Sequence, residues 1–190
     1  MIINYKNREI QIKIVYYGCA LSGKTTSLRN LFKKFDKAGS LTSIETTTGR
    51  TLFFDFGTIK MRGGEWNIKI SLFSATGQDF YASTRPATLS GADGIIFLVD
   101  SQKKYLKDNI TSWRELNYYY NEEIAKIPII YCLNKQDLPD VIEKDDILRA
   151  FELQNYSKID FFKTIAIHGE GIIEPFKKAL NFIFPSIMIR

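Results

Sequence analysis

The sequence predicts an α/β fold built on a mostly parallel β-sheet with helices on both faces. Segments rich in β-branched and aromatic residues alternate with segments whose apolar residues recur at helical spacing. This alternation is typical of βαβ units, in which each helix crosses back over the sheet. The strand-like segments 51–59 and 68–74 are instead joined by a short turn at Gly63 and Gly64, which indicates a hairpin. We therefore expect six strands, with one antiparallel edge.

The individual elements follow one another in a regular order. Six segments have the composition of strands: residues 10–17, 51–59, 68–74, 94–99, 128–133 and 161–166. Four segments have a helical period: residues 24–36, 106–124, 144–151 and 173–184. The inner stripe of the longest helix consists of Leu106, Ile110, Trp113, Tyr120 and Ile124. Residues 37–50 and 77–91 are polar and contain glycine, so we expect loops there. Nothing divides the chain, and a single domain over residues 1–190 is predicted.

Composition excludes several classes of protein. The chain is 45% hydrophobic and 25% charged, which is ordinary for a soluble globular protein. Its net charge of +5 is spread along the sequence without a long basic tract, so no nucleic acid partner is expected. Cys19 and Cys132 lie far apart, which favours a reducing cytosol over a disulfide framework.

The sequence contains no transmembrane segment, because no apolar run approaches the ~20 residues that span a bilayer. The C-terminal end is nevertheless apolar. Two explanations remain open for it, cover of the core or docking to a membrane or a partner. The residues concerned are Phe182, Phe184, Ile187, Met188 and Ile189.

A phosphate-binding loop follows the first predicted strand. Residues 18–25 read Gly-Cys-Ala-Leu-Ser-Gly-Lys-Thr and match the pattern GxxxxGK[ST] of P-loop NTPases. Backbone N–H groups of such a loop face the phosphates, Lys24 contacts the β- and γ-phosphates, and Thr25 binds Mg²⁺. The expected contacts are Gly18, Ala20, Leu21, Ser22, Gly23, Lys24, Thr25 and Thr26. The motif alone does not choose between ATP and GTP.

A guanine-binding motif follows the fifth predicted strand, about 110 residues after Lys24. Residues 134–137 read Asn-Lys-Gln-Asp and have the form NKxD. The Asp137 carboxylate can accept hydrogen bonds from N1–H and the exocyclic amine of guanine, a donor pair that adenine lacks. Sites of this kind reject the wrong analogue by roughly 10⁴–10⁵. Lys135 can lie over the base, and Asn134 can tie this loop to the phosphate loop. By position alone, the N–H groups of Ala166 and Ile167 are a further predicted contact with the base.

These motifs resemble those of the Ras-like small GTPases and, more narrowly, the MglA-type polarity GTPases of bacteria and archaea. The resemblance covers nearly the whole chain. Its most specific part is residues 50–56, Arg-Thr-Leu-Phe-Phe-Asp-Phe. The other matching strings are residues 14–25, 77–78 with 80–81, 93–94, 100–101 and 134–139.

The resemblance implies a GTP/GDP switch on a Ras-like G domain that hydrolyses GTP slowly alone and faster with a Roadblock-fold partner. Thr51 would then sense the γ-phosphate and Mg²⁺. Gln78 would position the attacking water next to Gly77, and Arg50 would act as an arginine finger from the chain itself. Together with Lys24, these residues would supply the positioning and charge neutralisation that phosphoryl transfer needs. Solvated loop residues without a catalytic role remain the alternative for Arg50 and Gln78.

Two positions depart from the common small-GTPase pattern. Ser74 stands where an Asp usually supports Mg²⁺ through water, a feature shared with the MglA type, and we hypothesise that Asp55 compensates. Ala20 stands where many relatives have Gly, and its Cβ either slows hydrolysis by crowding the γ-phosphate or is absorbed by small shifts.

These departures support an alternative function, a GTP-binding scaffold with little or no hydrolysis. A P-loop kinase that uses ATP is a third possibility, which conflicts with Asp137. We expect a cytoplasmic monomer that meets an effector through its switch loops, with peripheral membrane attachment left open.

Overall fold

An eight-stranded sheet forms the centre of the described part of the chain. The computed structural model describes residues 1–36, 41–45, 51–76 and 83–185, with the backbone alone for residues 41–45 and 51–54. The strands are β1 (Ile2–Asn4), β2 (Glu9–Tyr17), β3 (Leu41–Glu45), β4 (Thr51–Gly63), β5 (Trp66–Ala75), β6 (Gly94–Asp100), β7 (Ile129–Asn134) and β8 (Ile159–Thr164). Their order across the sheet is β3-β4-β5-β2-β6-β7-β8, and β1 pairs with β2.

Most of the sheet is parallel, as the sequence predicts. Strands β5, β2, β6, β7 and β8 run parallel to one another, whereas β4 is antiparallel to β5. The α/β class is therefore confirmed, but the sheet is wider than the six strands expected. Strand β1 adds an antiparallel pair with β2, and β3 adds another with β4.

Within the described residues, five α-helices cover the two faces of the sheet. They are α1 (Lys24–Lys34), α2 (Arg85–Leu89), α3 (Leu106–Tyr120), α4 (Lys144–Ala150) and α5 (Ile173–Ile183). Helices α1 and α5 contribute to one buried cluster, and α2, α3 and α4 contribute to the other. Helix α3 ends at Tyr120, so Ile124 of the predicted stripe lies in the 3₁₀ turn that follows. Within the described ranges, no helix has the length and apolarity needed to cross a membrane.

Two predicted loops contain regular structure. Strand β3 lies within residues 37–50, and α2 lies within residues 77–91. Both elements have only five residues, too few for a periodic pattern to show. The strand forms because β4 offers it a backbone partner, and the helix begins with Arg85-Pro86, where proline suits the first turn.

Alternating side chains of the central strand β2 enter both buried clusters. Ile14 and Tyr16 lie in the cluster with α1 and α5, and Val15 and Tyr17 lie in the other. Strands β6 and β7 are buried at every position. Because parallel strands end at the same edge, the loops that follow β2, β6, β7 and β8 meet there, where ligands bind in open α/β sheets.

At the C-terminal end, Phe184 is buried and Phe182 packs against the core. Ile187, Met188 and Ile189 lie outside the described residues.

Candidate nucleotide-binding site

The phosphate loop needs glycine at both of its ends because the backbone passes close to its neighbours. Gly18 has φ 134°, and a Cβ there would lie 2.2 Å from the carbonyl oxygen of Leu98. Gly23 has φ 102°, and a Cβ there would lie 2.2 Å from Nδ2 of Asn134. A side chain at either position would push the loop away from the strand ends that hold it.

Lys24 lies across the loop that precedes it. Its Nζ donates to the carbonyl oxygens of Gly18 at 2.9 Å and Cys19 at 2.6 Å. The side chain is buried, and the loss of water lowers the pKa of the ammonium to about 8. A desolvated cation beside a loop of backbone N–H groups is well placed to receive a phosphate.

Asn134 joins the phosphate loop to the ends of two strands. Its Nδ2 donates to the carbonyl oxygen of Ser22 at 2.7 Å, which is the tie expected from the sequence. Its Oδ1 accepts from the hydroxyl of Thr164 at 3.1 Å and from the N–H of Ala166 at 2.9 Å. The N–H of Ala166 is thus engaged within the protein, and its contact with a base oxygen stays a prediction, as does that of the exposed Ile167.

Lys135 is held in place by an ion pair, while Asp137 is exposed. The ammonium of Lys135 lies 2.5 Å from Oδ2 of Asp100, a carboxylate that is 1% exposed. This contact fixes both ends of the lysine side chain and so orients its aliphatic stem. Asp137 lies two residues after Lys135, and its side chain is open to solvent, as a guanine contact requires.

A pair of oxygen donors stands where Mg²⁺ is expected. The hydroxyl of Thr25 donates to Oδ2 of Asp55 at 2.6 Å, and Asp55 is fully buried. The register of the β4–β5 hairpin sets Asp55 directly opposite Ser74. A carboxylate thus reaches the position from the neighbouring strand. Mg²⁺ is typically held by one or two carboxylates together with phosphate and water, and this pair fits that donor set.

Several predicted site residues are not tested by the structure. Arg50, Gly77 and Gln78 lie outside the described residues, and Thr51 begins β4 with its side chain undescribed. The remaining loop positions are placed but make no decisive contact: Ala20 and Leu21 are exposed, and Thr26 is half-buried. The residues that the structure brings together are Lys24, Thr25, Asp55, Asn134, Lys135 and Asp137.

The sequence analysis missed Asn109, which fastens the phosphate loop to helix α3. Its Oδ1 accepts from the thiol of Cys19 at 3.3 Å and from the N–H of Asp100 at 3.0 Å. Its Nδ2 donates to the carbonyl oxygen of Asp100 at 2.9 Å. Burial raises the pKa of the Cys19 thiol, which keeps it a donor. The sequence pattern could have identified Asn109, because it is a polar residue between Leu106 and Trp113 on an otherwise apolar stripe of the helix.

Comparisons with known proteins identify the family of this chain. The model of the ADP-ribosylation factor family matches residues 1–183. The chain is 34% identical to the mutual gliding-motility protein MglA of Myxococcus xanthus, over 97% of this chain and 96% of that protein. It is 30% identical to ADP-ribosylation factor-like protein 3 of Saccharomyces cerevisiae, over 89% and 84% of the two chains. It is 27% identical to ADP-ribosylation factor-like protein 14 of Mus musculus, over 96% and 91%. The chain belongs to the ADP-ribosylation factor family and is a Ras-like small GTPase of the MglA type, which binds and hydrolyses GTP.

Proposed function

We propose that this GTPase is a Mg²⁺-dependent switch with slow intrinsic turnover that a Roadblock-fold partner stimulates. The observation that carries the proposal is the Thr25–Asp55 contact opposite Ser74. It supplies a carboxylate for the metal from a strand that continues directly from the Arg50-Thr51 segment. A movement of that segment can therefore shift Asp55 and alter the metal site, as a switch requires.

The residues of the site divide the work of phosphoryl transfer. Lys24 exchanges its two loop carbonyls for phosphate oxygens. Asp55 orients the hydroxyl of Thr25 toward the metal side of the phosphates. When bound, Mg²⁺ would neutralise charge on the β- and γ-phosphate oxygens. In this proposal Thr51 senses the γ-phosphate, Gln78 positions the water and Arg50 completes the neutralisation of charge.

The rate depends on how well the switch segments close over GTP. We propose that the chain acts as a monomer and meets its effector through residues 37–50 and 75–90, which GTP orders and hydrolysis releases. Slow turnover alone follows if Arg50 and Gln78 enter only on closure, with the Cβ of Ala20 resisting their approach. The Ala20→Gly variant then hydrolyses GTP faster than the wild type, and an unchanged or lower rate contradicts this explanation.

Single-turnover phosphate release tests the proposal against a scaffold that only holds GTP. We expect slow release alone and an increase of at least about a thousandfold with a Roadblock-fold partner, the lower end of the range attributed to arginine fingers. The Arg50→Ala variant should lose most of the stimulated rate while it still binds GDP. Release that stays negligible with and without the partner supports the scaffold instead.

We also propose that one face of the sheet associates with an anionic membrane surface. A cavity of about 550 Å³ is lined in part by Lys60, Arg62 and Lys69, together with Glu9 and Asn67. None of these three cations forms an ion pair with another described residue. Lys60 and Lys69 lie directly opposite each other, an arrangement of like charges that costs stability unless an anion offsets it.

An exposed apolar side chain lies on the same face of the sheet as these cations. Ile2 is 67% exposed, and it lies in the same row across the sheet as Gln11, Lys69 and Lys60. Cations that share a face with an exposed apolar side chain favour a lipid surface over a nucleic acid, since each cation contributes about 1 kcal/mol near anionic lipids.

Cosedimentation with phosphatidylcholine vesicles, with and without phosphatidylserine, tests the membrane face. We expect binding only to the anionic vesicles. The Lys60→Gln/Lys69→Gln variant should lose it. The Lys107→Gln/Lys177→Gln variant, which removes the same charge from two helices, should retain it. Equal loss in both variants, or no binding by the wild type, contradicts the proposal.

A further inference from the structure

A buried ionic cluster lies beside the nucleotide site. Arg85, the first residue of α2, is 6% exposed, and its Nη1 lies 2.5 Å from Oε2 of Glu115 on α3. The hydroxyl of Tyr17 donates to the same carboxylate oxygen at 2.7 Å. Burial raises the pKa of the Tyr17 hydroxyl, so it remains a donor at neutral pH. We call Arg85, Glu115 and Tyr17, together with Thr76, the Arg85 cluster.

The cluster reaches both segments that would hold the γ-phosphate. Tyr17 immediately precedes Gly18, the first residue of the phosphate loop. On the other side, Nε of Arg85 donates to the carbonyl oxygen of Thr76 at 2.9 Å. Thr76 immediately precedes Gly77. Because a peptide bond is planar, a held carbonyl fixes the plane of the peptide that leads into Gly77.

A purely structural role does not account for this arrangement. Fastening α2 to α3 needs only the ion pair, and buried ion pairs are often replaceable by apolar side chains at no cost in stability. The Nε bond is directed instead to the end of β5, outside both helices. A guanidinium can make the two contacts at once because its donors form a rigid planar fork, which an ammonium lacks.

We propose that Arg85 is a positioning residue for GTP hydrolysis. It holds the peptide between Thr76 and Gly77. Its own position relative to the phosphate loop is fixed by contacts through Glu115 and Tyr17. The segment that carries Gly77 and Gln78 therefore starts from a fixed point relative to the phosphates. This inference rests on the proposed role of that segment in the reaction.

The Arg85→Lys variant tests the contact with Thr76, since it keeps the charge opposite Glu115 and loses the fork. Single-turnover hydrolysis at saturating GTP should fall by about tenfold to a hundredfold, because a misplacement of about 1 Å can slow catalysis by about a hundredfold. The affinity for GDP should stay near the wild-type value, because GDP lacks the γ-phosphate. A variant with lowered thermal stability and an unchanged hydrolysis rate overturns the proposal.

Two tyrosine variants provide a matched comparison that does not disturb the ion pair. Tyr17→Phe removes the hydroxyl that joins the phosphate loop to Glu115. Tyr120→Phe removes a hydroxyl on α3, the helix that carries Glu115. That hydroxyl donates to the carbonyl oxygen of Leu89 at 2.5 Å. We expect slower hydrolysis from Tyr17→Phe and wild-type hydrolysis from Tyr120→Phe. Equal rates in the two variants overturn the proposal, even if Arg85→Lys does not fold.

Parallel measurement of Gln78→Ala separates this inference from the proposed function. If Gln78→Ala is slow and both Arg85→Lys and Tyr17→Phe are normal, positioning by the Arg85 cluster is wrong and the role of Gln78 stands. If Gln78→Ala hydrolyses GTP normally while Arg85→Lys is slow, the role of Gln78 fails, and the cluster acts through the Thr76–Gly77 peptide.

Discussion

At the residue scale, the metal site proposed for this GTPase depends on Asp55, a carboxylate on the strand next to the one that carries Ser74. Asp55 reaches the position across from Ser74 because β4 pairs with β5 in a register that sets the two residues opposite each other. The sequence suggested that Asp55 compensates for Ser74, but it could not determine the register in which β4 pairs with β5. A slip by one residue would have turned Asp55 to the other face of the sheet.

We expect Asp55→Asn to reduce the increase in nucleotide affinity that Mg²⁺ produces. The amide nearly preserves the shape of the side chain but removes the charge that accepts from Thr25 and that would face the metal. GDP affinity in Mg²⁺, relative to affinity in EDTA, should fall about tenfold, in line with a lost charged hydrogen bond. Asp160→Asn, on β8, is the control and should behave as the wild type. An unchanged Mg²⁺ dependence would rule out a metal-supporting role for Asp55.

Lys24 makes nucleotide binding sensitive to alkaline pH. Burial lowers its pKa from 10.5 to about 8 in the nucleotide-free chain. Phosphates favour the charged form, so the pKa in the complex lies higher, and binding takes up a proton between the two values. Affinity for GDP should therefore be level below about pH 8 and decrease above it, by tenfold per pH unit at most.

Titrations with a fluorescent GDP analogue between neutral and alkaline pH measure this dependence. Lys24→Arg provides the baseline, because arginine stays charged and the guanine ring keeps its own alkaline titration. A wild-type profile that coincides with the Lys24→Arg profile would mean that Lys24 does not titrate on binding.

At the element scale, sequence periodicity located the long elements and missed the short ones. Helix α1 and strands β6 and β7 were predicted nearly to their ends, because each carries its own strong pattern. The five-residue α2 and β3 depend on contacts made elsewhere, through Arg85 and through β4 respectively. Local propensity does not encode such contacts.

Helix α3 shows how a single polar residue within an apolar stripe serves the site. Asn109 satisfies both backbone groups of Asp100 as well as the thiol of Cys19. Asn109→Ala should lower the free energy of unfolding by about 3 kcal/mol, because buried polar groups are left without partners. It should also weaken GDP binding, since Cys19 belongs to the phosphate loop.

Asn117→Ala, on the same helix, is the matched control for that effect. Asn117 donates to the carbonyl oxygen of Trp113 within the helix and accepts from the hydroxyl of Tyr156. The Asn117→Ala substitution should lower the free energy of unfolding by about 1 kcal/mol and leave GDP binding unchanged. Chemical denaturation and nucleotide titration of both variants decide the matter. Equal GDP affinities would show that Asn109 only supports the fold.

At the scale of the whole molecule, the nucleotide site is held together by hydrogen bonds between parts of the chain that are distant in sequence. Asn134 joins the phosphate loop to β7 and to the segment after β8. Lys135 is likewise fixed by Asp100. The motifs could be assigned from the sequence because their chemistry is local. Apart from the tie between Asn134 and the phosphate loop, which the sequence predicted, the network that holds them could not be assigned, because its members lie far apart along the chain.

A site built in this way should convert nucleotide affinity directly into stability of the whole domain. At a GDP concentration about 1,000 times Kd, binding adds about 4 kcal/mol to the free energy of unfolding. ATP at the same concentration should add far less, because only guanine presents the donor pair to Asp137. Asp137→Ala should remove most of the GDP effect and leave the stability without ligand unchanged, since this carboxylate is exposed. Thermal unfolding with each nucleotide measures these differences, and equal stabilisation by ATP and GDP would refute guanine selection by Asp137.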